Sequence, residues 1–245
     1  EKIDFEYEKK DQIEIIDQSE TINEFKNSNS LSDLNNAFTN KCFKILVKKG
    51  YQLVKPLIIY HTTNSKIWSK NINLRLNFEL DKDSSLRLID LFNDTSEKNF
   101  LNIFYNFELK ENAVLKNYKV DKFENKNINL RLNFELDKDS SLRLIDLFND
   151  TSEKNFLNIF YNFELKENAV LKNYKVDKFE NKNIKYSFNN IDQEKNSISE
   201  TFILSAGSNF FKNEINCNLN GEYSSAFVNG IFSLNNNKHH EIRTI

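Results

Sequence analysis

The middle of the chain alternates between apolar and polar residues with a period of two. In 72–80 every second residue is Ile, Leu or Phe, and the residues between them are Asn, Arg or Glu. This alternation predicts a β-strand with one buried face. The pattern continues through Leu86 and Leu88, but Ile89 and Leu91 shift its phase, which predicts a bulge or a corner there. Apolar residues do not follow helical spacing in 70–184, so strands are expected throughout that region.

A recurring tetrapeptide marks a coil length of about 28 residues. The sequence Asn-Phe-Glu-Leu begins at Asn77, Asn106, Asn133 and Asn162, at intervals of 29, 27 and 29 residues. A polar corner and a second apolar strand follow each occurrence. Two strands in a repeat of this length are typical of a β-solenoid.

A duplication without a single substitution lies within this pattern. Residues 70–128 recur at 126–184, so two identical units occupy 70–125 and 126–181 with a period of 56 residues. Similar strand–turn–strand segments occur upstream and downstream, at 45–53 and 217–232. Together these features predict an all-β solenoid of roughly seven coils between residues 40 and 235. Because coils stack about 4.8 Å apart, the extra unit would lengthen the solenoid by about 10 Å and keep its strands in phase.

The first 40 residues differ in character. Apolar segments at Ile3–Tyr7 and Gln12–Ile16 predict short edge strands. Ser30–Phe38 predicts a helical turn, since Ser30 and Asp33 have the spacing of a capping box. We expect residues 1–40 to form a cap that protects the open edge of the first coil, and residues 41–245 to form the β-helix.

Composition supports this fold. The 245 residues include only 4 Gly and 1 Pro, but 22 Phe. The corners must therefore depend on Asn, Asp and Ser, which tolerate a left-handed backbone. The Phe rings are available to stack from coil to coil in the interior.

Charge and hydropathy exclude two classes of partner. The 34 basic and 36 acidic residues give a net charge of −2 and are spread along the chain, whereas a nucleic-acid surface needs clustered Lys and Arg. No run of 18 or more apolar residues occurs in the sequence, so no membrane span is expected. No signal-peptide pattern is visible, and we expect a cytoplasmic protein.

Candidate chemistry is sparse. Cys42 and Cys217 lie 175 positions apart, so each is interpreted first as a small buried hydrophobe. His239, His240 and Glu241 form a potential donor cluster, but adjacent residues of a strand point to opposite faces, so at most one histidine could join a given site. The sequence contains no phosphate-binding loop, nucleophile elbow or His-Glu-x-x-His motif. We therefore expect a protein that is not an enzyme and that binds no metal or cofactor stably.

The C-terminal third resembles a known family. In order along the chain it contains Ser205-Ala206-Gly207, Lys212-Asn213, Leu219-Asn220-Gly221-Glu222, Asn229-Gly230 and His239-His240. This order of motifs is similar to the core of SufD in the SufB/SufD family, whose members are subunits of the SufBCD scaffold for iron–sulfur cluster assembly. Residues 34–38 and 45–61 also resemble the segment that leads into the family's β-helix.

The resemblance implies a right-handed parallel β-helix that pairs side by side with SufB, while helical ends recruit the ATPase SufC. It also implies that a cluster forms transiently at the SufB interface, with a SufD histidine in a later Ser-His-Gly stretch. Because the sequence stops at Ile245, we expect that histidine and the C-terminal helical domain to be absent. Cys217 lies near a position where SufB carries a cysteine. Cys217, His239 and His240 are therefore the candidate cluster-binding residues.

The duplicated unit departs from the family. It adds two coils, which would displace the two ends of the solenoid relative to SufB. We expect a non-catalytic scaffold that is inactive in cluster assembly in this truncated and duplicated form, and that could form a homodimer. A structural or surface β-solenoid, such as an adhesin stalk, is the alternative. A polysaccharide lyase would need clustered acids, but the recurring glutamates are interpreted instead as a solvated face interleaved with lysines, namely Glu79, Glu108, Glu135 and Glu164.

Overall fold

The computed structural model describes residues 2–8, 11–19, 35, 38–39, 41–52, 54–62, 71–94, 100–123, 127–150, 155–179, 183–234 and 238–245. Within these ranges lie seventeen strands, which are β1 (Lys2–Glu6), β2 (Ile13–Asp17), β3 (Lys41–Val47), β4 (Leu57–Thr62), β5 (Asn71–Leu80), β6 (Ser85–Asp94), β7 (Phe100–Leu109), β8 (Val114–Phe123), β9 (Asn127–Leu136), β10 (Ser141–Asp150), β11 (Phe156–Leu165), β12 (Val170–Phe179), β13 (Ile184–Gln193), β14 (Ile198–Ala206), β15 (Phe210–Leu219), β16 (Ser225–Ser233) and β17 (His239–Thr244).

The strands form two sheets that face each other across the core. One sheet has eight strands in the order β1-β4-β6-β8-β10-β12-β14-β16, and the other has nine in the order β17-β15-β13-β11-β9-β7-β5-β3-β2. From β3 onward the chain alternates between the sheets, and each strand pairs in parallel with the strand one coil away. In the described residues, β3 to β16 make seven two-strand coils. The predicted parallel β-solenoid is therefore confirmed, and the coil count agrees with roughly seven.

Phenylalanine rings form a column between the sheets. Phe78, Phe107, Phe134 and Phe163 are register partners on successive strands of the nine-stranded sheet. Their ring centroids lie 4.5, 4.7 and 5.1 Å apart, with interplanar angles of 11°, 6° and 10°. Each side chain is at most 1% exposed. Because burial of one such side chain contributes about 1.5–3 kcal/mol, this column is a major part of the core.

Asn and Asp residues form the corners, as the low glycine content predicts. Asp83, Asn112, Asp139 and Asn168 adopt positive φ angles of 59° or 60°. The Asn112 amide donates a hydrogen bond to the Asp83 carboxylate over 2.9 Å, and Asn168 donates to Asp139 over 2.8 Å. Corners that are one coil apart are thus cross-linked by their own side chains.

The bulge or corner predicted at Ile89 and Leu91 is wrong. Strand β6 continues through both residues and pairs with β8 residue by residue, from Ser85 opposite Val114 to Asp94 opposite Phe123. The inward positions continue without a shift, and Asp90 occupies one of them with 0% exposure. The sequence pattern changed because a charged residue faces the interior while its two apolar neighbours face outward.

Strands lie at both predicted N-terminal segments. β1 pairs antiparallel with β4, and β2 pairs antiparallel with β3, so each covers one edge of the first coil. Of the helical turn predicted at 30–38, only Asn35 and Phe38 are described, and both are helical; the rest lies outside the described residues. The boundary of a cap at residue 40 stays a prediction. Nowhere in the described chain is there a helix of the length and apolarity needed to cross a membrane.

Candidate functional site

A row of alternating charges lies inside the solenoid. Asp90, Lys119, Asp146 and Lys175 are register partners on β6, β8, β10 and β12. All four are at most 1% exposed. They recur at intervals of 29, 27 and 29 residues, the same intervals as the Asn-Phe-Glu-Leu string. Opposite charges therefore stack along the axis, one per coil.

The first part of this row is closely paired. The Asp90 carboxylate lies 2.7 Å from His61 Nε2, accepts a hydrogen bond from the Tyr105 hydroxyl over 2.7 Å, and lies 3.2 Å from Lys119 Nζ. Lys119 Nζ also lies 2.8 Å from Asp121. Lys119 is thus held between two carboxylates, one on its own strand and one on the preceding coil.

These contacts determine the protonation of the groups. Burial alone would raise the pKa of Asp90, but Lys119, His61 and Tyr105 hold it below the usual value. Burial alone would lower the pKa of Lys119, but Asp121 and Asp90 hold it above the usual value. Burial raises the pKa of Asp121 to about 6, against the attraction of Lys119. At neutral pH the Asp90–Lys119 pair is therefore fully ionised.

The second part of the row has the same sequence but other partners. The Tyr161 hydroxyl donates a hydrogen bond to Asp146 over 2.5 Å. Lys175 Nζ donates to the Asn189 amide oxygen and lies 3.3 Å from the centre of the Tyr161 ring. Burial, together with repulsion from Lys185, lowers the pKa of Lys175 well below its usual value, although Asp146 opposes this. The first copy is followed by another copy, whereas the second is followed by the unrepeated strand β13, which supplies Asn189 and Lys185.

A further ion pair closes this end of the row. Lys185 Nζ lies 2.5 Å from Asp177, and both side chains are at most 1% exposed. Asp121, Asp146 and Asp177 each have one carboxylate oxygen with no hydrogen-bond partner among the described residues. Each therefore keeps an oxygen available to a further donor inside the solenoid. Because the whole row is buried, it orders the interior and does not offer a surface to an external substrate.

His240 faces inward beside this end. Its Nε2 lies 2.7 Å from Ser208 Oγ and 3.1 Å from the Ser208 carbonyl oxygen, and its Nδ1 lies 3.4 Å from Ser205 Oγ. Phe211 and Phe232 pack against the ring at centroid distances of 5.6 and 6.0 Å. Burial lowers the pKa of His240. The imidazole is therefore neutral at neutral pH and can serve as a ligand or a hydrogen-bond donor.

His239 faces outward, as expected for the neighbour of His240 on a strand. Its ring stacks on Phe210 at 5.3 Å, and its Nε2 lies 3.9 Å from Glu241. The His239 side chain is 63% exposed. The two histidines therefore cannot contribute to one site on the same face.

Cys217 faces inward and continues the phenylalanine column through Ile191. It is half-buried and packs against the core, while Cys42 is 3% exposed. Burial raises the pKa of both thiols. Because Phe211 is the register partner of His240 and Cys217 lies six residues further along β15, Cys217 and His240 are about 20 Å apart. In the described ranges no three His, Cys, Asp or Glu side chains converge on a metal site.

The recurring glutamates line the outer surface of the nine-stranded sheet in register. Glu79 lies 3.0 Å from Lys44, and Glu108 lies 3.2 Å from Lys110. Burial and the adjacent Glu108 and Glu164 raise the pKa of Glu135. The ladder is interleaved with lysines, in agreement with its interpretation as a solvated face.

The buried charges were missed at the sequence level because polar residues of an alternating strand were assigned to solvent. Their recurrence with opposite signs at the coil interval was the available signal. The resemblance to SufB pointed to Cys217, and adjacency in the sequence pointed to His239 and His240, but the structure separates Cys217 from the two histidines.

Comparisons with known proteins agree with this architecture. Residues 126–245 match the family model described as the SufBD core domain of the SUF system for FeS cluster assembly. The match begins at the first residue of the second copy and includes the unrepeated coils that follow. No curated protein matches the chain. Residues 126–245 of this parallel β-solenoid are therefore a SufBD core domain of the SUF iron–sulfur cluster assembly system.

Proposed function

We propose that the chain is a SufD-like, non-catalytic scaffold subunit that works in the cytoplasm with SufB and the ATPase SufC. The observation that carries this proposal is the core-domain match over 126–245, together with the SufD-like order of motifs from Ser205 to His240. An iron–sulfur cluster is the cargo of such a scaffold. A rigid solenoid suits this role because it fixes the distance between partner surfaces at its two ends.

We also propose that the duplication makes this form inactive. Two additional coils increase the distance between the two ends of the solenoid by about 10 Å. A side-by-side partner contacts several coils in register, so a shift of this size misaligns part of the interface. The fold tolerates the insertion, but the partner geometry does not.

Excision of residues 126–181 provides the test. It joins Asn125 to Lys182 and leaves a single copy with an unchanged sequence across the junction. We expect the excised chain to capture SufB in a pull-down and the duplicated chain to capture much less. In cluster reconstitution with SufB and SufC, the duplicated chain should fall below a full-length, unduplicated SufD-type subunit.

The outcomes separate the parts of the proposal. Equal cluster assembly by the duplicated chain and the full-length subunit would contradict the proposed inactivity. If neither form captures SufB or SufC, the SufD-like role is wrong. The structural or surface solenoid is then favoured, since an in-phase insertion of two coils changes only the reach of a stalk.

Cys217, His239 and His240 stay proposed contacts for the cargo. His239 is the accessible one of the three, because its side chain faces outward and is 63% exposed. A His239→Ala variant of the excised chain should lower cluster assembly without reducing SufB capture. Unchanged assembly would remove His239 from the candidates.

A further inference from the structure

Two neighbouring rows on the outer surface of the eight-stranded sheet are apolar from coil to coil. One row is Ile89, Tyr118, Ile145 and Tyr174, and the next is Leu91, Val120, Leu147 and Val176. We call these two rows the apolar stripe. None of its side chains is fully buried, and Leu147 is 36% exposed. Apolar residues at the same register positions of β4 and β14 extend both rows.

The outer surface of the other sheet carries exposed aromatic side chains at the starts of some strands, among them Phe156 and Tyr186, but is polar towards the strand ends. There, asparagines form a hydrogen-bonded ladder in which Asn190 donates to Asn162 over 3.1 Å and Asn216 donates to Asn190 over 3.0 Å. The glutamate ladder runs beside it. A solenoid core needs only its inward residues to be apolar. A contiguous apolar stripe on the outside therefore marks a surface for interaction with a partner.

Basic side chains border the apolar stripe. Arg87, Lys116, Arg143 and Lys172 are register partners in the outward row next to Ile89, and we call them the basic row. Lys172 lies 3.4 Å from Glu200. Across the described part of the chain, no carboxylate lies within ion-pair distance of the other three. A partner that covers the stripe could therefore place its own carboxylates against them.

The dimensions of the stripe fit one α-helix. The two rows are about 7 Å apart and six strands, β4 to β14, extend the stripe over about 24 Å. A helix is about 10 Å wide and rises 1.5 Å per residue, so about 16 residues would cover this length. A second copy of the chain fits less well. It would bring the same basic row, and the acids at the described outward positions of this sheet lie away from the free cations of that row: Glu200 is already paired with Lys172, and Asp4 and Glu6 lie on the edge strand β1.

We propose that the apolar stripe binds an amphipathic α-helix of a partner protein, with the helix axis along the solenoid. One face of that helix carries apolar residues at intervals of three and four. Acidic residues on one flank of the helix meet the basic row. The proposal is independent of the proposed role in cluster assembly, since this surface contains none of the candidate cluster-binding residues.

The probe is a pair of synthetic helical peptides of about 16 residues. Both carry Leu along one face, and they differ only in having Glu or Lys along the flank. Binding is followed by fluorescence anisotropy of the labelled peptides. We expect the Glu peptide to bind the intact chain. The affinity of the Lys peptide should be lower by about tenfold or more.

Three variants locate the binding surface. Leu147→Asp places a charge in the stripe at an exposed position and should weaken binding of the Glu peptide by about tenfold or more. The double variant Lys116→Glu/Arg143→Glu should reverse the preference and favour the Lys peptide. Lys138→Glu/Lys195→Glu is the matched control, because these exposed corner lysines lie outside the stripe, and it should bind as the intact chain does. Circular dichroism checks that each variant is folded.

Several results would overturn the proposal. These are equal binding of the two peptides, binding that Leu147→Asp leaves unchanged, or no binding at the highest soluble peptide concentration. Self-association that Leu147→Asp abolishes, seen by analytical ultracentrifugation, would assign the stripe to a second copy and would also contradict a partner helix.

Discussion

Lys119 shows how a charge is retained inside the solenoid. Its side chain is 1% exposed, and it lies 3.2 Å from Asp90 and 2.8 Å from Asp121. Transfer of an ammonium group out of water costs several kcal/mol, and only close pairing offsets that cost. The neighbouring carboxylates depend on Lys119 in the same way. The charges of the row are therefore interdependent, because each one offsets the desolvation cost of its neighbour.

Replacement of Lys119 by Met should therefore be far more damaging than its change in volume suggests. It removes the cation and leaves Asp90 and Asp121 buried together. We expect the free energy of unfolding at pH 7 to fall by about 3–5 kcal/mol in urea denaturation. Lys116→Met is the matched control on the same strand, where the side chain faces outward, and it should change stability by about 0.5 kcal/mol or less. Equal stability of the two variants would contradict the role assigned to the row.

Asp121 should give stability a specific pH dependence. Its pKa is about 6 in the folded chain against an ordinary value of 3.8, so the folded state binds this proton more tightly. The favourable contribution of Asp121 to stability is complete below its pKa in the unfolded state, and it is lost as the pH rises through about 6. Relative to Asp121→Asn, the intact chain should lose about 2 kcal/mol of stability between pH 4 and pH 7.

Urea denaturation of both chains at several pH values measures this difference. Asp90, whose pKa is shifted downward, contributes stability of the opposite pH dependence, but it is present in both chains, so the difference between them isolates Asp121. A difference that does not vary with pH would show that Asp121 titrates normally in the folded chain.

At the scale of the strand, alternation carried most of the information about the fold. Periodicity and the recurring tetrapeptide predicted the strands, the coil length and the parallel stacking, and low glycine content predicted Asn and Asp corners. These features succeed because each depends on local backbone geometry or on the burial of one face. The phase change at Ile89 was misinterpreted because it depends on a contact between coils and not on local geometry. A rule that sends polar residues to solvent cannot place Asp90 inside, where only its partner one coil away makes it stable.

Strands of identical sequence also acquire different environments. β8 and β12 share every residue, but Lys119 pairs with two aspartates, whereas Lys175 bonds to Asn189. The difference comes from the coil that follows each strand, because side chains in a solenoid contact the preceding and following coils. Candidate site residues therefore could not be evaluated singly from the sequence. Cys217 and His240 are close in the chain, but lie at opposite ends of their paired strands.

At the scale of the whole molecule, the coil is the unit of length. Every strand from β5 to β15 keeps the register of its neighbour, so the two copies add two complete coils with no change in cross-section. In a molecule of this kind stability is close to a sum over coils and their interfaces. Removal of two interior coils therefore shortens the molecule and leaves both ends intact.

Excision of residues 126–181 should shorten the long axis by about 10 Å, which is twice the spacing between strands. Small-angle X-ray scattering measures this as a smaller maximum dimension with an unchanged radius of gyration of the cross-section. The far-ultraviolet circular dichroism per residue should stay that of a β protein, because the new junction from Asn125 to Lys182 reproduces a sequence already present at Asn125–Lys126. A thicker cross-section, or loss of the strand signal, would mean that the coils are not interchangeable. In that case contacts beyond the nearest neighbours would hold the two copies, and the duplication would change the fold of the solenoid as well as the partner geometry.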